Sequence, residues 1–361
     1  MFTKAALDGE PLASAEAADL NYAHDSDLGI VRKRHGKAFR YATVDGQPVR
    51  DRDTLERMRT LAIPPAWTDV WISPDPSGHL QATGRDARGR KQYRYHTRWR
   101  TVRDAAKYHR LVEFCRALPA IREAVARDLA CTCLCRRKVI ATVVSLMEHA
   151  QLRVGNDEYA RENGSYGATT LRDRHARIHG DTLELSYRAK GGIQRRVKIT
   201  DRRLARIVRR CRDLPGQRLF QFVDGGGAPH PITSSDVNAY LHEVSGGPFT
   251  AKDYRTWAAT LGMTMLLCRR AHPASATAAK RCVMESLRAV AERLGHTPTV
   301  CRSSYIHPRV IDDFTAGTLA GKLARDVERA LKTTPASAID GIALPALRSI
   351  EPVVARYLES R

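Results

Sequence analysis

The chain lacks any long hydrophobic segment and is poor in acidic residues relative to basic ones. No apolar run approaches the roughly 18 residues that a membrane-spanning helix needs. Residues Met1 to Lys4 lead into no apolar region of the kind found in secretory signals. Only 39 Asp and Glu stand against 60 Lys and Arg. We therefore expect a cytoplasmic protein with no membrane partner, located in the nucleoid if the source is a bacterium.

Recognisable metal and nucleotide motifs are also missing. Cys131, Cys133 and Cys135 form a C-x-C-x-C run, whereas zinc ligands are usually spaced as C-x2–4-C with a second such pair or histidines. The glycines at 225–227 follow Asp224 without the lysine of a phosphate-binding loop. We therefore predict no metal and no cofactor, and we interpret the three cysteines as buried, reduced thiols in a helix-like stretch.

The chain instead has a large positive charge, which indicates a polyanionic partner. Its 361 residues carry a formal net charge of +21, an electrostatic footprint typical of nucleic-acid binding. Membrane-surface binding is the alternative, but no basic amphipathic helix stands apart from the rest. Residues 84–110 contain ten bases and two acids. Aromatic residues are interleaved with them and suit both phosphate pairing and base stacking: Tyr93, Tyr95, Trp99 and Tyr108.

Composition and pattern predict an α+β fold with a small β-rich domain followed by a larger helical one. Residues 1–30 contain six acids and one base and are predicted to be a poorly ordered lead. Residues 31–100 are predicted to be β-rich. Their elements are a hairpin at the Asp45-Gly46 turn, a helix capped by Asp53 that runs to Leu61, and strands: Phe39–Thr43, Gln47–Arg50, Asp69–Ser73, His79–Thr83 and Lys91–His96.

Residues 101–330 are predicted to form a mainly helical catalytic domain, with residues 331–361 as a helical extension. Val139–Leu152 has the apolar pattern of a helix that ends just before Arg153. A three-stranded meander follows, with Lys190 at a turn between the last two strands. The remaining elements are a helix capped at Thr200-Asp201, a helix opened by Phe249-Thr250 and a terminal helix, Ile342–Leu358. The meander strands are Ala176–His179, Thr182–Arg188 and Ile193–Ile199.

Five residues supply what transfer of a DNA phosphate to a tyrosine requires: Arg153, Lys190, Arg255, His296 and Tyr305. Attack on a phosphodiester builds negative charge on the non-bridging oxygens, which the planar fork of an arginine suits. Two arginines and an imidazole therefore stabilise the transition state. A 5′ alkoxide leaves poorly, so a general acid is needed, and positioned proton transfer contributes about 100- to 10,000-fold. A lysine at a hairpin tip is suited to that role.

The sequence around these residues resembles that of type IB DNA topoisomerases, specifically the bacterial enzymes related to those of poxviruses. The resemblance covers roughly residues 35–315. Arg153–Tyr159 is similar to the first-arginine motif and Lys252–Trp257 to the second. Lys190 follows at a hairpin tip, as in that family. The closing motif and the N-terminal domain are represented by four further segments: Leu294–His296, Ser304-Tyr305, Ile63–Trp67 and Gly89–Tyr95.

This resemblance implies a fold of the DNA breaking-rejoining type, with two domains that enclose duplex DNA as a monomeric clamp. Tyr305 is implied to form a 3′-phosphotyrosyl link, with Lys190 as general acid and the other three residues holding the scissile phosphate. The cut strand then swivels, which relaxes supercoils of either sign without ATP or metal, and is resealed. By the same resemblance, DNA contacts are expected at Lys91, Gln92, Tyr93, Tyr95 and Tyr159.

Two alternatives remain at this level. A tyrosine recombinase or integrase uses the same chemistry and shares Leu-Gly-His…Tyr, but such enzymes favour His-x-x-Arg where this chain has Lys252 ahead of Arg255. A non-catalytic DNA-binding protein explains the charge but not the five residues. Asn156 departs from the poxvirus enzymes, which carry a lysine there that helps to read sequence. We therefore do not expect their strict target preference.

Overall fold

A computed structural model describes residues 3, 5–6, 10–36, 38–271 and 273–360. Lys4 and Asp8, which contribute to the predicted acidic lead, lie outside the described residues. The chain divides into two compact units, Met1–Arg110 and Leu111–Arg361. In the described part of the chain, no helix combines the length and the apolar content needed to cross a membrane.

The first unit is built on a five-stranded antiparallel sheet. The elements are α1 (Pro11–Ala17), β1 (Ile30–His35), β2 (Ala38–Thr43), α2 (Arg52–Thr60), β3 (Thr68–Ile72), β4 (Leu80–Arg85) and β5 (Lys91–Tyr95). The strand order is β2-β1-β3-β4-β5. Helix α2 packs on the sheet, and Met58 from this helix joins a core with apolar residues of the strands.

Two local predictions in this unit need correction. The turn after β2 forms, with the Gly46 amide donating to Thr43 O at 2.9 Å. However, the returning segment makes one bridge, at Pro48, rather than a strand. The two hydrogen bonds of this bridge run from Thr43 N to Gln47 O and from Val49 N to Tyr41 O, each 2.9 Å long. The partner of β2 is β1. The cap of α2 is Asp51 rather than Asp53, since the Asp51 carboxylate accepts the Thr54 amide at 2.7 Å.

The described part of the acidic lead is folded, so the prediction of poor order is wrong there. Residues Pro11–Ala17 form α1. Alanines in and around this helix and Leu20 are buried with Trp99 and Val102 in a small core of their own. Asn21 forms a bridge with Gly78, two residues before β4. The segment orders because its alanines and Leu20 bury apolar surface against residues far away in sequence.

The second unit is mainly helical and contains the predicted meander, which confirms the α+β class. The strands of the meander are β6 (Ala176–His179), β7 (Thr182–Arg188) and β8 (Gln194–Thr200), which pair antiparallel in that order. A separate two-stranded sheet pairs β9 (Gln221–Val223) with β10 (Pro229–Pro231). The first helices are α3 (Thr97–Leu129), which runs through the division between the units, α4 (Arg136–Ala150), α5 (Asp157–Asn163) and α6 (Arg202–Arg212).

The helices that follow complete this unit and include the C-terminal segment. Their bounds are α7 (Ser234–Ser245), α8 (Ala251–Cys268), α9 (Ala276–Leu294), α10 (Pro298–Ser304), α11 (Pro308–Thr315), α12 (Arg325–Leu331), α13 (Ala336–Asp340) and α14 (Leu344–Glu359). The predicted terminal helix is therefore present as α14. Ion pairs join it to α3 and α4, because Arg122 contacts both Glu148 and Glu351. The predicted C-terminal extension is thus packed within the helical unit.

The cysteine prediction is wrong in its structural part. Cys131, Cys133 and Cys135 lie between α3 and α4 rather than within a helix, and Cys133 is exposed. The helix ends at Leu129, and Cys135 has the extended backbone of a residue that precedes α4. All eight cysteines are free thiols. Among the described residues, no group of three or more His, Cys, Asp or Glu is placed to hold a metal ion.

Candidate active site

Arg153 follows the end of α4 and is held by a close contact between two backbone segments. Gln151 adopts a left-handed conformation with φ of 48°, which ends the helix. The Arg153 carbonyl accepts the Ala168 amide at 2.7 Å. Gly155 has φ of 109°, and a Cβ there would lie 2.8 Å from Thr169 Oγ1. The glycine of this motif therefore positions the backbone that carries Arg153.

Arg255 lies in the second turn of α8 and is only 4% exposed. The capping box at residues 250–253 starts this helix where the sequence predicted it. The guanidinium donates to Leu294 O at 2.7 Å and also to Gln151 O. Burial and then the charge of Arg153 lower the pKa of Arg255 to about 10. The side chain thus stays charged at neutral pH.

His296 follows the C-terminal end of α9 and contacts Arg153. Gly295, with φ of 65°, turns the chain out of the helix, and the His296 amide donates to Ala291 O at 2.8 Å. Arg153 Nη2 donates to Gly295 O at 2.8 Å. The same atom lies 3.2 Å from His296 Nδ1 and 3.3 Å from Nε2. Because these two distances are nearly equal, the contact is not a directed bond to one ring nitrogen.

Tyr305 ends α10 and lies against both His296 and Arg255. The ring centroids of Tyr305 and His296 are 4.5 Å apart with an interplanar angle of 36°, and Arg255 Cζ is 5.6 Å from the Tyr305 centroid. The Thr260 hydroxyl donates to Tyr305 O at 3.3 Å and accepts the His307 amide at 3.2 Å. This threonine of α8 therefore fixes the backbone on both sides of the phenol.

Lys190 lies at the tip of the hairpin between β7 and β8, where the sequence predicted it. Gly191 and Gly192 have φ of 79° and 78°, and the lysine is exposed. Its Nζ is 5.5 Å from the Tyr159 ring centroid. None of the contacts described for this part of the chain joins Lys190 directly to the other four residues. Its charge nevertheless contributes to the lowered pKa of His296, so the two groups interact electrostatically.

Three arginines from different segments neutralise the carbonyl end of α9. Arg195 donates to Glu292 O at 3.2 Å and to Arg293 O at 2.9 Å. Arg255 and Arg153 donate to the next two carbonyls, those of residues 294 and 295. A helix C-terminus carries about half a negative charge, and within the described residues no carboxylate forms an ion pair with these arginines. Net positive charge therefore remains for an anion.

The imidazole of His296 is neutral at physiological pH. Its pKa falls from 6.5 to about 3, first because of burial and then because of the neighbouring positive charges. These charges belong to Arg153, Arg255, Lys190 and Arg195. A neutral ring donates one hydrogen bond without adding a charge. The site therefore combines charged guanidiniums, a neutral imidazole and a phenol, a set suited to binding and attacking a phosphodiester.

The predicted DNA contacts on β5 divide between the two faces of the strand. Lys91, Tyr93 and Tyr95 alternate on one face and are exposed, and the two tyrosine rings are parallel with centroids 5.9 Å apart. Gln92 points the other way and donates to Asp86 Oδ2 at 3.0 Å. Of the other aromatics in the basic stretch, Trp99 and Tyr108 are buried, so they pack inward. Tyr159 lies in the second unit, beside Lys190.

Sequence reasoning missed two residues that contact these predicted groups. Asp25 Oδ2 is 2.5 Å from Lys91 Nζ, and nothing in the local pattern of the lead distinguishes Asp25 from its acidic neighbours. Arg195 occupies an inward position on β8, where Val197 and Ile199 alternate with exposed bases. The sequence did contain a signal for Arg195, because strand alternation puts this arginine on the same face as the apolar Val197 and Ile199.

Comparisons with known proteins match both units. Residues 96–330 match the model of the eukaryotic DNA topoisomerase I catalytic core. Residues 38–86 match that of the bacterial DNA topoisomerase IB N-terminal domain. All five candidate catalytic residues fall in the first match. Lys91 to Tyr95 lie between the two.

Two similar proteins match different shares of the chain. DNA topoisomerase 1B of Acanthamoeba polyphaga mimivirus is 32% identical over 285 residues, which are 77% of this chain and 85% of the viral protein. DNA topoisomerase 1 of Mycosarcoma maydis is 27% identical over 199 residues, which are 49% of this chain. The match spans only 19% of the fungal protein.

Proposed function

This chain belongs to the type IB DNA topoisomerase family, and we propose that it relaxes positive and negative supercoils by cutting and resealing one strand of duplex DNA. The observation that carries the proposal is the grouping of Arg153, Arg255 and His296 around the Tyr305 ring. The centroids of the Tyr305 and His296 rings are 4.5 Å apart. Lys190 lies at the hairpin tip, and its charge is felt by His296. Every component comes from one chain, which supports action as a monomer.

In the proposed cleavage step, the Tyr305 oxygen attacks the scissile phosphorus and the bond to the 5′ oxygen breaks. The phenol proton passes to water, which the surrounding cations favour because they stabilise the phenolate. Arg153 and Arg255 donate to the non-bridging oxygens, and His296 donates its single N–H there. Lys190 gives its proton to the departing 5′ oxygen. The product is a 3′-phosphotyrosine and a free 5′ hydroxyl.

Resealing is the reverse of this reaction. The 5′ hydroxyl attacks the phosphotyrosine, its proton returns to Lys190, and the Tyr305 oxygen leaves. The phosphodiester energy is kept in the protein–DNA bond, so neither step needs ATP. The arginines supply the positive charge at the phosphate that a metal ion supplies in other phosphoryl-transfer enzymes. We therefore propose that the reaction also proceeds without a divalent metal.

Duplex DNA is the proposed partner of both units. Lys91, Tyr93 and Tyr95 present an exposed ammonium group and two rings on one face of β5, which suits phosphate pairing and contact with sugars or bases. Tyr159, beside Lys190, is proposed to contact DNA close to the cut. Gln92 is less exposed than Lys91, Tyr93 and Tyr95. An enzyme with this substrate acts where the chromosome is, in the nucleoid of a bacterial cytoplasm.

Plasmid relaxation tests the proposal. Wild-type protein is mixed with supercoiled plasmid in EDTA without ATP, and Tyr305→Phe and Tyr41→Phe are compared with it. We expect relaxation and detergent-trapped covalent adducts with the wild type and Tyr41→Phe, and neither with Tyr305→Phe, which still binds DNA. An absolute requirement for Mg²⁺ would contradict the mechanism. Adduct formation by Tyr305→Phe would place the nucleophile elsewhere.

A further inference from the structure

We propose that Arg195 is a positioning residue that holds the Lys190 hairpin against the helix end bearing His296. This inference rests on the function proposed above. Arg195 lies on β8, five residues after Lys190 in the sequence. It does not need to touch the DNA. Its role is to keep the general acid at a fixed distance from the phosphate site.

The contacts of Arg195 join the meander to two helix ends. Its Nη1 donates to the carbonyls of Glu292 and Arg293 at 3.2 and 2.9 Å. Its Nη2 donates to Ala150 O at 3.3 Å. The carbonyls in the last turn of a helix have no partner within that helix. One side chain on β8 therefore connects the ends of α9 and α4, and each of these ends leads directly into a catalytic segment.

The absence of a side chain at Gly295 leaves room for Arg195 to reach these carbonyls. A Cβ at Gly295 would lie 3.2 Å from Arg195 Cδ, and φ of 65° at Gly295 disfavours any side chain. The glycine of the Leu-Gly-His segment thus ends the helix and also leaves room for Arg195 to reach the carbonyls. His296 comes next in the chain. The position of the imidazole and the position of the hairpin are consequently set by the same contact.

The hairpin is attached to the helical unit through both of its strands. At the end of β7, Arg188 O accepts the Tyr166 amide at 2.8 Å. On β8 the corresponding attachment is the Arg195 side chain. Between these points the tip is closed by the hydrogen bond from Ala189 N to Ile193 O at 2.8 Å, and it is exposed with two glycines of positive φ. Loss of the β8 attachment would leave the tip fixed on one side only.

The donors of Arg195 are mostly used inside the protein, which argues against a direct phosphate contact. An arginine has five N–H donors, and three of those of Arg195 reach carbonyls. Tyr187 is its cross-strand partner. Burial raises the pKa of the Tyr187 hydroxyl, and the charge of Arg195 opposes this. The residue therefore acts through Lys190 and His296.

Single-turnover cleavage with two leaving groups tests the proposal. Arg195→Gln, Arg195→Lys and Lys190→Ala are compared on a duplex with an ordinary 5′ oxygen and on one with a 5′-bridging sulfur, which leaves without a general acid. We expect both Arg195 variants to cleave the oxygen substrate about 10- to 100-fold more slowly, a part of the contribution of a positioned acid. The sulfur substrate should restore them to within a few fold of wild type, as it should Lys190→Ala.

The matched control is Arg196→Gln, which removes an exposed arginine from the opposite face of the same strand and should leave both rates unchanged. The double variant Arg195→Gln with Lys190→Ala should be no slower than Lys190→Ala alone. The proposal would be overturned if both Arg195→Gln and Arg195→Lys cleaved the sulfur substrate as slowly as the oxygen substrate. It would also be overturned if these variants cleaved the oxygen substrate at the wild-type rate. If the wild type forms no adduct with either substrate, the proposed function fails instead.

Discussion

Arg153 and Arg255 donate to adjacent peptide carbonyls, those of Gly295 and Leu294, and are therefore held next to each other. They arrive from different segments, one after α4 and the other within α8. Like charges at this spacing repel, and after burial the charge of Arg153 lowers the pKa of Arg255. Burial and the charge of Arg195 lower the pKa of Arg153. The carbonyl end of α9 compensates in part. A phosphate placed between them would complete the compensation, which is why the pair favours binding of an anion.

Arg255→Lys should reduce cleavage strongly although it keeps the charge. A lysine cannot donate to both Gln151 O and Leu294 O while also presenting a planar fork to the phosphate. We expect single-turnover cleavage to fall about 100- to 1,000-fold, the usual cost of losing one transition-state donor. Arg281→Lys, on an exposed position of α9, is the control. Equal rates for the two variants would show that Arg255 contributes charge alone.

His296→Gln should retain much more activity than His296→Ala. With a pKa of about 3, the ring is neutral, so an amide N–H replaces its donor function while alanine removes it. We expect the alanine variant to lose about 100-fold or more in single-turnover cleavage. Over pH 5 to 8 the rate of the wild type and that of His296→Gln should depend on pH in the same way, without an additional titration step in the wild type. Such a step would mean that the imidazole titrates during the reaction.

The same pKa predicts how His296 affects stability. The folded pKa, about 3, lies below the ordinary value of 6.5. Between these values the unfolded chain binds a proton that the folded chain does not, so stability falls as the pH falls through that window. His296→Gln should therefore lose less stability than wild type between pH 6.5 and 4. Urea denaturation at a series of pH values measures this, and parallel curves for the two proteins would contradict it.

Asp25→Asn should increase the affinity for duplex DNA. The Asp25 carboxylate is 2.5 Å from Lys91 Nζ, and the hydrogen bond from Lys91 is the main reason that the pKa of Asp25 is lowered. A phosphate has to compete with that carboxylate for the lysine. An asparagine keeps the bond from Thr83 but removes the competing charge. We expect about tenfold tighter binding at low salt, with a steeper salt dependence.

Asp45→Asn is the control for this experiment because it changes the net charge by the same amount. Asp45 lies in the exposed turn after β2. Fluorescence anisotropy of a labelled duplex measures both variants at several salt concentrations. If Asp25→Asn and Asp45→Asn bind equally well, the Asp25–Lys91 pair does not compete with DNA.

Arg122→Ala should destabilise the helical unit and loosen its C-terminal helix. The guanidinium donates to Glu351 at 2.7 and 2.8 Å and to Glu148 at 2.7 Å, and both carboxylates are largely buried. Removing it leaves two carboxylates close together without that partner. We expect a loss of about 3 kcal/mol in the free energy of unfolding, in urea denaturation. Arg348→Ala, at the more exposed pair with Glu148, should cost less than about 1 kcal/mol.

Several features could be predicted because their causes are local. Alternating residues predicted the meander, and helical spacing predicted α4 and α14, each to within a few residues. Other local predictions were wrong. The segment after the Asp45-Gly46 turn makes one bridge with β2 instead of a strand, and β2 pairs along its whole length with β1. The cysteine run lies between two helices, and the lead folds because its apolar residues reach Trp99 and Val102.

The sequence by itself determined the chemical inventory of this protein: a phenol, an imidazole, two arginines and a lysine, each in a recognisable segment. Residue types and short spacings are sufficient for that, since they depend on the side chains alone. Only the tertiary structure decided how these groups are held. Arg195 and Asp25 have no local signature, because they act on residues brought to them by β8 pairing and by folding of the lead. The neutral state of His296 also depends on burial and on four charges from three separate segments, which only the folded chain brings together.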